Sequence, residues 1–192
     1  MRSSIVREVI TLRPLAEDGS DAHVMLPWLT DHRVLEWVYG RDEVYALERI
    51  REEWDPVSRV AEHVWPHLIM LGDRPIGYLQ LVWAHAHNDC YKAEGDLSHT
   101  YGFDMYIGEP DLWGAGLGTS VCEVAIAALL ARGADRVVID PRVVNERAVR
   151  VYEKVGFRKV KVLPGNELHE NVHYDCWLME LDFEAFRTYQ SR

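Results

Sequence analysis

Cysteine is scarce here: Cys90, Cys122 and Cys176 form an odd set without C-x-x-C spacing. A fully paired disulfide framework is excluded, and a reducing cytoplasm fits. Long apolar runs are missing as well. The longest nearly uncharged stretch, Val124–Ala131, is far too short to span a bilayer. Arg7 and Glu8 stand where a secretory signal would carry its apolar segment, so a soluble, cytoplasmic chain is expected. Basic charge is short too: Lys and Arg number 21 against 31 Asp and Glu, a formal charge of −10, and none lies between Lys92 and Arg132. Nucleic acid and anionic membrane are therefore poor partners, whereas a cationic ligand suits the charge. No repeat or low-complexity linker divides the chain. The 192 residues, 48% hydrophobic, read as a single domain, 1–192, with one substantial core.

What is present is an alternation of strand and helix signals. Val9–Arg13 reads as a strand, Ala22–Tyr39 as two short helices and Ala46–Trp54 as another. HLIML, a GDRP turn and IGYLQLVWAH form a β-hairpin, and Asn88–His99 is a polar loop before the strand Thr100–Ile107. A glycine-opened helix runs to Arg132 and stops at Gly133, a strand covers Arg136–Ile139, and a helix capped by Asn145 ends at Gly156. Arg158–Leu163 and His173–Leu181 are the last strands. The order is that of an α/β fold with a mixed sheet rather than a doubly wound array.

Gly114-Ala115-Gly116-Leu117-Gly118 joins a strand to a helix, where free N–H groups and the helix dipole could hold a pyrophosphate. It is no P-loop, because no Lys-Ser/Thr follows, and its spacing and mid-chain position do not fit a dinucleotide fingerprint. Taken alone it could equally be a tight turn. About 30 residues on stands N-x-x-A-x-x-x-Y-x-x-x-G-F, from Asn145 to Phe157. The pair of motifs resembles the GNAT superfamily of acyl-CoA-dependent N-acyltransferases. The resemblance implies a mixed sheet splayed around an acyl-CoA site, with helices on both faces. It implies acetyl-CoA held by Met105, Tyr106 and Ile107 on the strand, by Trp113, Gly114, Ala115, Gly116, Leu117, Gly118 and Thr119 in the loop, and by Asn145 and Ala148. It also gives Tyr152 the leaving thiolate. Trp113 replaces the family's Arg or Gln at the head of the loop. Without the resemblance Tyr152 would be a helix aromatic packed on the sheet, and Asn145 an N-cap.

Further blocks, WLTDHRVLEWVYGRD, RPIGYLQ, YGFDMYIGEPDLW, Asp140-Pro141, LPGNELHEN and DCWLMEL, resemble the aminoglycoside 6′-N-acetyltransferases. The likeness is to the branch containing the acetyltransferase half of the bifunctional acetyltransferase–phosphotransferase. It implies an aminoglycoside partner, Asp104 as catalytic base, and substrate binding by Tyr39, Asp104, Asp140 and Glu167. At Val38-Tyr39 the family pattern wants an aromatic followed by Gly. The residues agree in part. Glu94, Asp96, Asp104, Glu109, Asp111 and Glu123 could form an acidic wall for a polycation, or a merely solvated face. Asp104 is distinctive, being a carboxylate inside a strand. Asp140 before proline is also a natural Asx turn. Glu167, His169 and Glu170 fall in a block that could line the same cleft. His85 and His87 read as sharing a strand face near Asp89 and Cys90, but no second ligand pair supports a metal, so none is expected. Cys122 reads as core, with no acyl-enzyme role.

The chemistry expected is direct attack of the 6′-amine on the thioester, Asp104 taking the proton, an amide near Met105 or Tyr106 polarising the carbonyl, and Tyr152 protonating the thiolate. The alternatives are a GNAT acylating a metabolite amine, such as a siderophore precursor, and a non-catalytic module binding aminoglycoside or CoA. An acceptor with a carboxylate should recruit Arg or Lys, and residues 93–131 have none.

Overall fold

A computed structural model describes residues 9–191; Arg7 and Glu8 lie outside them. The chain runs through strand β1 (Ile10–Pro14) and helices α1 (Ala22–Met25), α2 (His32–Leu35), α3 (Leu47–Glu53) and α4 (Pro56–Ala61). Strands β2 (Val64–Leu71) and β3 (Arg74–Trp83), helix α5 (Asn88–Tyr91) and strand β4 (Thr100–Ile107) follow. Then come α6 (Leu117–Ala131), β5 (Arg136–Ile139), α7 (Glu146–Val155), β6 (Phe157–His169), β7 (Val172–Leu181) and α8 (Phe183–Gln190). The sheet has seven strands in the order β1-β2-β3-β4-β5-β7-β6, with β4 and β5 parallel and the other neighbours antiparallel.

Apolar clusters cover both faces, two of them built on the helices. On one, α6 sets Val121, Cys122, Ala125, Ile126 and Leu129 against Leu79, Leu81 and Phe103, while α7 adds Val149, Tyr152 and Val155. These spacings of three and four are a helical stripe, and the stripe is what makes both helices dock. On the other face α1, α2 and α3 pack Met25, Val34, Leu35 and Ile50 against Leu68, Tyr78 and Tyr106.

The feature that positions a site is a defect in the sheet. Strands β4 and β5 pair only at Thr100↔Arg136, Tyr101↔Val137 and Gly102↔Val138. From Phe103 onward they part. Gly108 N–H donates to Ile76 O and Ala84 N–H to Thr100 O, bracketing a β3–β4 register without a shift. The alternation of an antiparallel ladder then points the even-numbered amides of β4 at β3, and those of Phe103, Met105 and Ile107 into the gap. Ile107 O agrees: it accepts from Trp113 Nε1 at 2.9 Å rather than from a strand.

Four expectations need correction. Strand β3 ends at Trp83, so His85 and His87 do not share a strand face; His85 stacks on Trp83 at 4.9 Å and His87 Nε2 lies 2.7 Å from Glu62 O. The supposed loop Asn88–His99 contains α5, and β6 runs on to His169 through a bulge between Leu163 and Glu167. Of the six acidic residues read as a wall, only Asp104 lines the cleft described below. Glu94 instead binds Lys161 (2.7 Å), Glu109 binds Arg74 (2.6 Å), and Asp96 accepts from Ser98 N.

Candidate active site

The gap between β4 and β5 opens into two compartments, of ≈ 470 and ≈ 380 Å³, that share a wall at Trp37, Val38, Met105, Asn145 and Tyr152. Each has its own chemistry.

The smaller is built on the glycine loop. Gly114 and Gly116 have φ of 78° and 83°, and a Cβ on either would meet nothing within 4 Å. Glycine is needed there for a left-handed backbone, and the space above it stays clear for a ligand. Thr119 N–H is used by Gly116 O at 3.1 Å, which leaves the earlier amides of α6 as the donors of its first turn. Across the compartment stand Arg147, Arg150 and Lys154 of α7. Sequence reasoning missed these cations, although their i, i+3, i+7 spacing puts them on one helix face. Arg147 lies over the Trp113 ring at 4.4 Å, so positive charge reaches the head of the loop even though Trp113 stands there. Asn145 Oδ1 accepts from Ala148 N at 3.2 Å, an N-cap that also lines both compartments. Ala115 alone among the expected loop residues does not line the cavity.

The larger compartment gathers side chains from distant segments. Asp104 of β4, Asp140 after β5 and Glu167 of β6 face into it. Asp104 is open to the cleft but enclosed by protein elsewhere. The enclosure pushes its carboxyl up, against the opposing pull of Gln80, Arg59 and His87. Burial likewise raises Asp140, as do Asp104 and Glu167 beside it. Glu167 is raised by burial and by Asp104, with Arg142 opposing. Three carboxylates that resist ionising together are what an incoming polycation relieves. The cleft also holds two arginines that the 93–131 stretch could not reveal, Arg59 from α4 and Arg142 after β5. Arg142 is 5% exposed and lies 3.3 Å from Glu167, its Nη2 donating to Trp37 O at 2.7 Å.

Tyr39 lines this compartment with φ of 63°, the left-handed region that a glycine would occupy without strain. Its ring is held by Trp54 at 5.4 Å, Tyr45 at 6.0 Å and Tyr106 at 6.1 Å. Beyond it the tip of the β6–β7 hairpin, with Glu170 and Asn171 at φ of 49° and 62°, reaches the same segment. Glu170 accepts from Arg41 Nε and Nη2 at 2.6 Å each, and His169 Nε2 lies 3.0 Å from Glu36 O. Glu170 and His169 thus tie the hairpin tip to the 36–41 segment and do not line the compartment.

Tyr152 is 8% exposed and packs on Phe103 (6.1 Å) and Phe157 (5.8 Å), yet borders both compartments. Burial holds its phenol far above the usual range, so it stays protonated near neutrality. Of the two amides expected to polarise the carbonyl, that of Met105 faces the gap, whereas that of Tyr106 belongs to the β3 ladder. Among the described residues no group of three or more His, Cys, Asp or Glu could hold a metal, and no helix is long and apolar enough to cross a membrane.

A parted sheet, a glycine loop opening a helix and a cationic wall facing it define an acyl-CoA-dependent acyltransferase, and the chain belongs to the acetyltransferase (GNAT) domain family, which matches residues 18–164. Within that class it is similar to the aminoglycoside N(6′)-acetyltransferase type 1 of Klebsiella pneumoniae, 31% identical over 152 residues that cover 78% of this chain and 74% of that one. The solved structure of the aminoglycoside acetyltransferase AAC(6′)-Ib with ribostamycin and coenzyme A superposes with a TM-score of 0.79 at 27% identity, covering 93% of this chain and 96% of that one. A more distant relative is the N(6)-hydroxylysine O-acetyltransferase of Escherichia coli, 26% identical over 165 residues, 81% of this chain and 48% of that protein.

Proposed function

We propose that this protein transfers acetyl from acetyl-CoA to the 6′-amine of an aminoglycoside by direct attack, in the cytoplasm, and so confers resistance. The observation that carries this reading is the convergence of Asp104, Asp140 and Glu167 in one cleft, across a shared wall from the glycine loop. Asp140 and Glu167 hold ammonium groups, and the Tyr39 ring covers the bound sugar. Gly114, Gly116, Leu117 and Gly118 offer amides to the pyrophosphate of acetyl-CoA, and Arg147, Arg150 and Lys154 supply positive charge beside it. Asp104 takes the proton of the reacting ammonium, directly or through a water. The amine lone pair then forms the C–N bond at the thioester carbonyl, whose oxygen Met105 N–H polarises. The C–S bond breaks as Tyr152 gives its proton to the sulfur. The attacking nitrogen, cationic after attack, sheds its second proton, which restores the Tyr152 phenol by way of solvent, and Asp104 passes its own proton to solvent. Asp104 also stabilises the ammonium it must deprotonate; its own raised pKa narrows that gap.

The test is thiol release from acetyl-CoA with kanamycin and with its 6′-hydroxy counterpart. Turnover with the amine alone, lost in Asp104→Asn, is the expected result. Tight acetyl-CoA binding without turnover on any aminoglycoside would overturn the reading. A second reading has one specific observation in its favour: Arg59 and Arg142 place cations in the acceptor compartment, where a metabolite amine or hydroxylamine bearing a carboxylate would need one. Arg142 is already paired with Glu167 and Arg59 with Gln80, which favours the polycation.

A further inference from the structure

We propose that Arg59 is a positioning residue for Asp104: acting through Gln80, it fixes which carboxylate oxygen faces the acceptor amine and keeps that carboxylate ionised. The proposal rests on reading Asp104 as the base.

The chain of contacts is short. Arg59 Nη2 donates to Gln80 Oε1 at 2.9 Å, and Gln80 Nε2 donates to Asp104 Oδ2 at 2.8 Å. Tyr78 Oη donates to the same Gln80 Oε1 at 3.0 Å. An amide side chain has two possible orientations, and its neighbours decide between them. A guanidinium only donates. It therefore demands Oε1 on its side, which turns Nε2 toward Asp104. Tyr78 cannot impose this, since a hydroxyl donates or accepts as required. Without Arg59 a protonated Asp104 could donate to a flipped Gln80 while Tyr78 accepted from the other end. The arginine removes that alternative and so disfavours the protonated acid. Oδ2 is thereby taken, and Oδ1 has no hydrogen-bond partner among the described residues.

Arg59 is poorly explained as a structural residue. Its other partner is Glu62, on the same helix at 3.3 Å and 58% exposed, a contact of the kind that contributes little. Its Nε is buried with no acceptor among the described residues. The helix that carries it buries no residue.

Other groups also face Asp104. Asp140 and Glu167 oppose its ionisation, and His87 favours it. Cys90 and the phenols of Tyr39, Tyr78, Tyr91 and Tyr152 are uncharged near neutrality, burial raising each of them. Removing Arg59 changes none of these directly, so the sign is fixed: Asp104 becomes harder to ionise.

The experiment is the pH profile of kcat/KM for kanamycin acetylation in wild type, Arg59→Met, Arg59→Lys, Gln80→Leu and Asp104→Asn. In Arg59→Met the acid limb moves up by about one pH unit, a loss of about tenfold on its acid side, while KM for acetyl-CoA holds. Arg59→Lys, also a pure donor, returns the limb toward wild type. Gln80→Leu shifts it in the same direction as Arg59→Met and serves if the latter fails to fold. An unmoved limb in Arg59→Met and Gln80→Leu, or a rate loss uniform across pH that Arg59→Lys does not repair, overturns the relay while the base reading stands. Full turnover in Asp104→Asn would instead remove the base reading itself.

Discussion

The two compartments of the cleft are made in different ways. The smaller one, proposed above for acetyl-CoA, centres on the stretch 105–119, a strand edge, a glycine loop and the start of a helix whose backbone amides are its working parts. Segments 34–38 and 145–154 close it. The acceptor half is assembled from side chains of β3, β4, β6 and α4, with segments 37–39 and 140–142. Backbone recognition depends on conformation and tolerates almost any side chain that does not obstruct it. Side-chain recognition depends on identity, and one substitution changes what can bind. On the proposed assignment, the substrate of fixed chemistry meets the less mutable half and the variable one the more mutable half.

Substitutions confined to one half should separate the two. The largest effect belongs to Asp104→Asn: kcat falls by about 10²–10⁴-fold in thiol release, while acetyl-CoA affinity by calorimetry is unchanged. Gly116→Val is its mirror image. A β-branched residue at φ 83° costs about 1–2 kcal/mol of strain and fills the open space above the loop. Acetyl-CoA affinity should drop by about tenfold or more, with acceptor affinity intact in a direct binding titration.

Asp140→Asn comes next, and it couples binding to stability. Losing a charged partner should raise the acceptor KM by about tenfold. The free protein should respond oppositely. Asp140 is raised in the folded state by burial and by its carboxylate neighbours, so its ionisation destabilises the fold as pH climbs through that raised value. Scanning calorimetry should show the variant melting above wild type at about pH 8, with the difference narrowing as pH falls and closing at about pH 4, the ordinary carboxylate range. An equal Tm at both pH values would show that the cluster carries no repulsion. The smallest effect is Tyr152→Phe, a kcat loss within about tenfold, because an ordinary thiol of pKa about 8.5 leaves as thiolate without full protonation.

The same division explains what the sequence made legible. Strands β4 and β5 were bounded correctly because alternation and flanking turns coincide at Thr100–Ile107 and Arg136–Ile139. The glycine loop and the Asn145 motif were readable because each is a short local pattern. Helix α4 was missed despite Asp55-Pro56 at its start, since it buries nothing and shows no apolar period. Helix α8 buries only Phe186, too little for a stripe. The extension of β6 was hidden by Pro164-Gly165, where a bulge lets the strand continue. In the acceptor half Asp104 was visible as a charge in a strand. Arg59, Gln80 and Arg142 carried no signal of their own, because their meaning comes from neighbours 21 or more residues away, as in the Arg59–Gln80 and Gln80–Asp104 pairs. The acidic run misled for the same reason: composition counts charges without saying which way they point.

The early parting of β4 from β5 leaves a strand edge inside the sheet rather than at its margin. Amides such as that of Met105 have no strand to bond, and a bare edge of this kind is a template for stray chain segments. The pantetheine arm of acetyl-CoA carries amide groups of its own, and a chain with amides can complete a ladder as an added strand does. The cosubstrate would then be a piece of secondary structure on loan. Binding it would close the sheet and stabilise the folded chain by mass action, so the acyl-CoA site and the fold's own completeness are one feature.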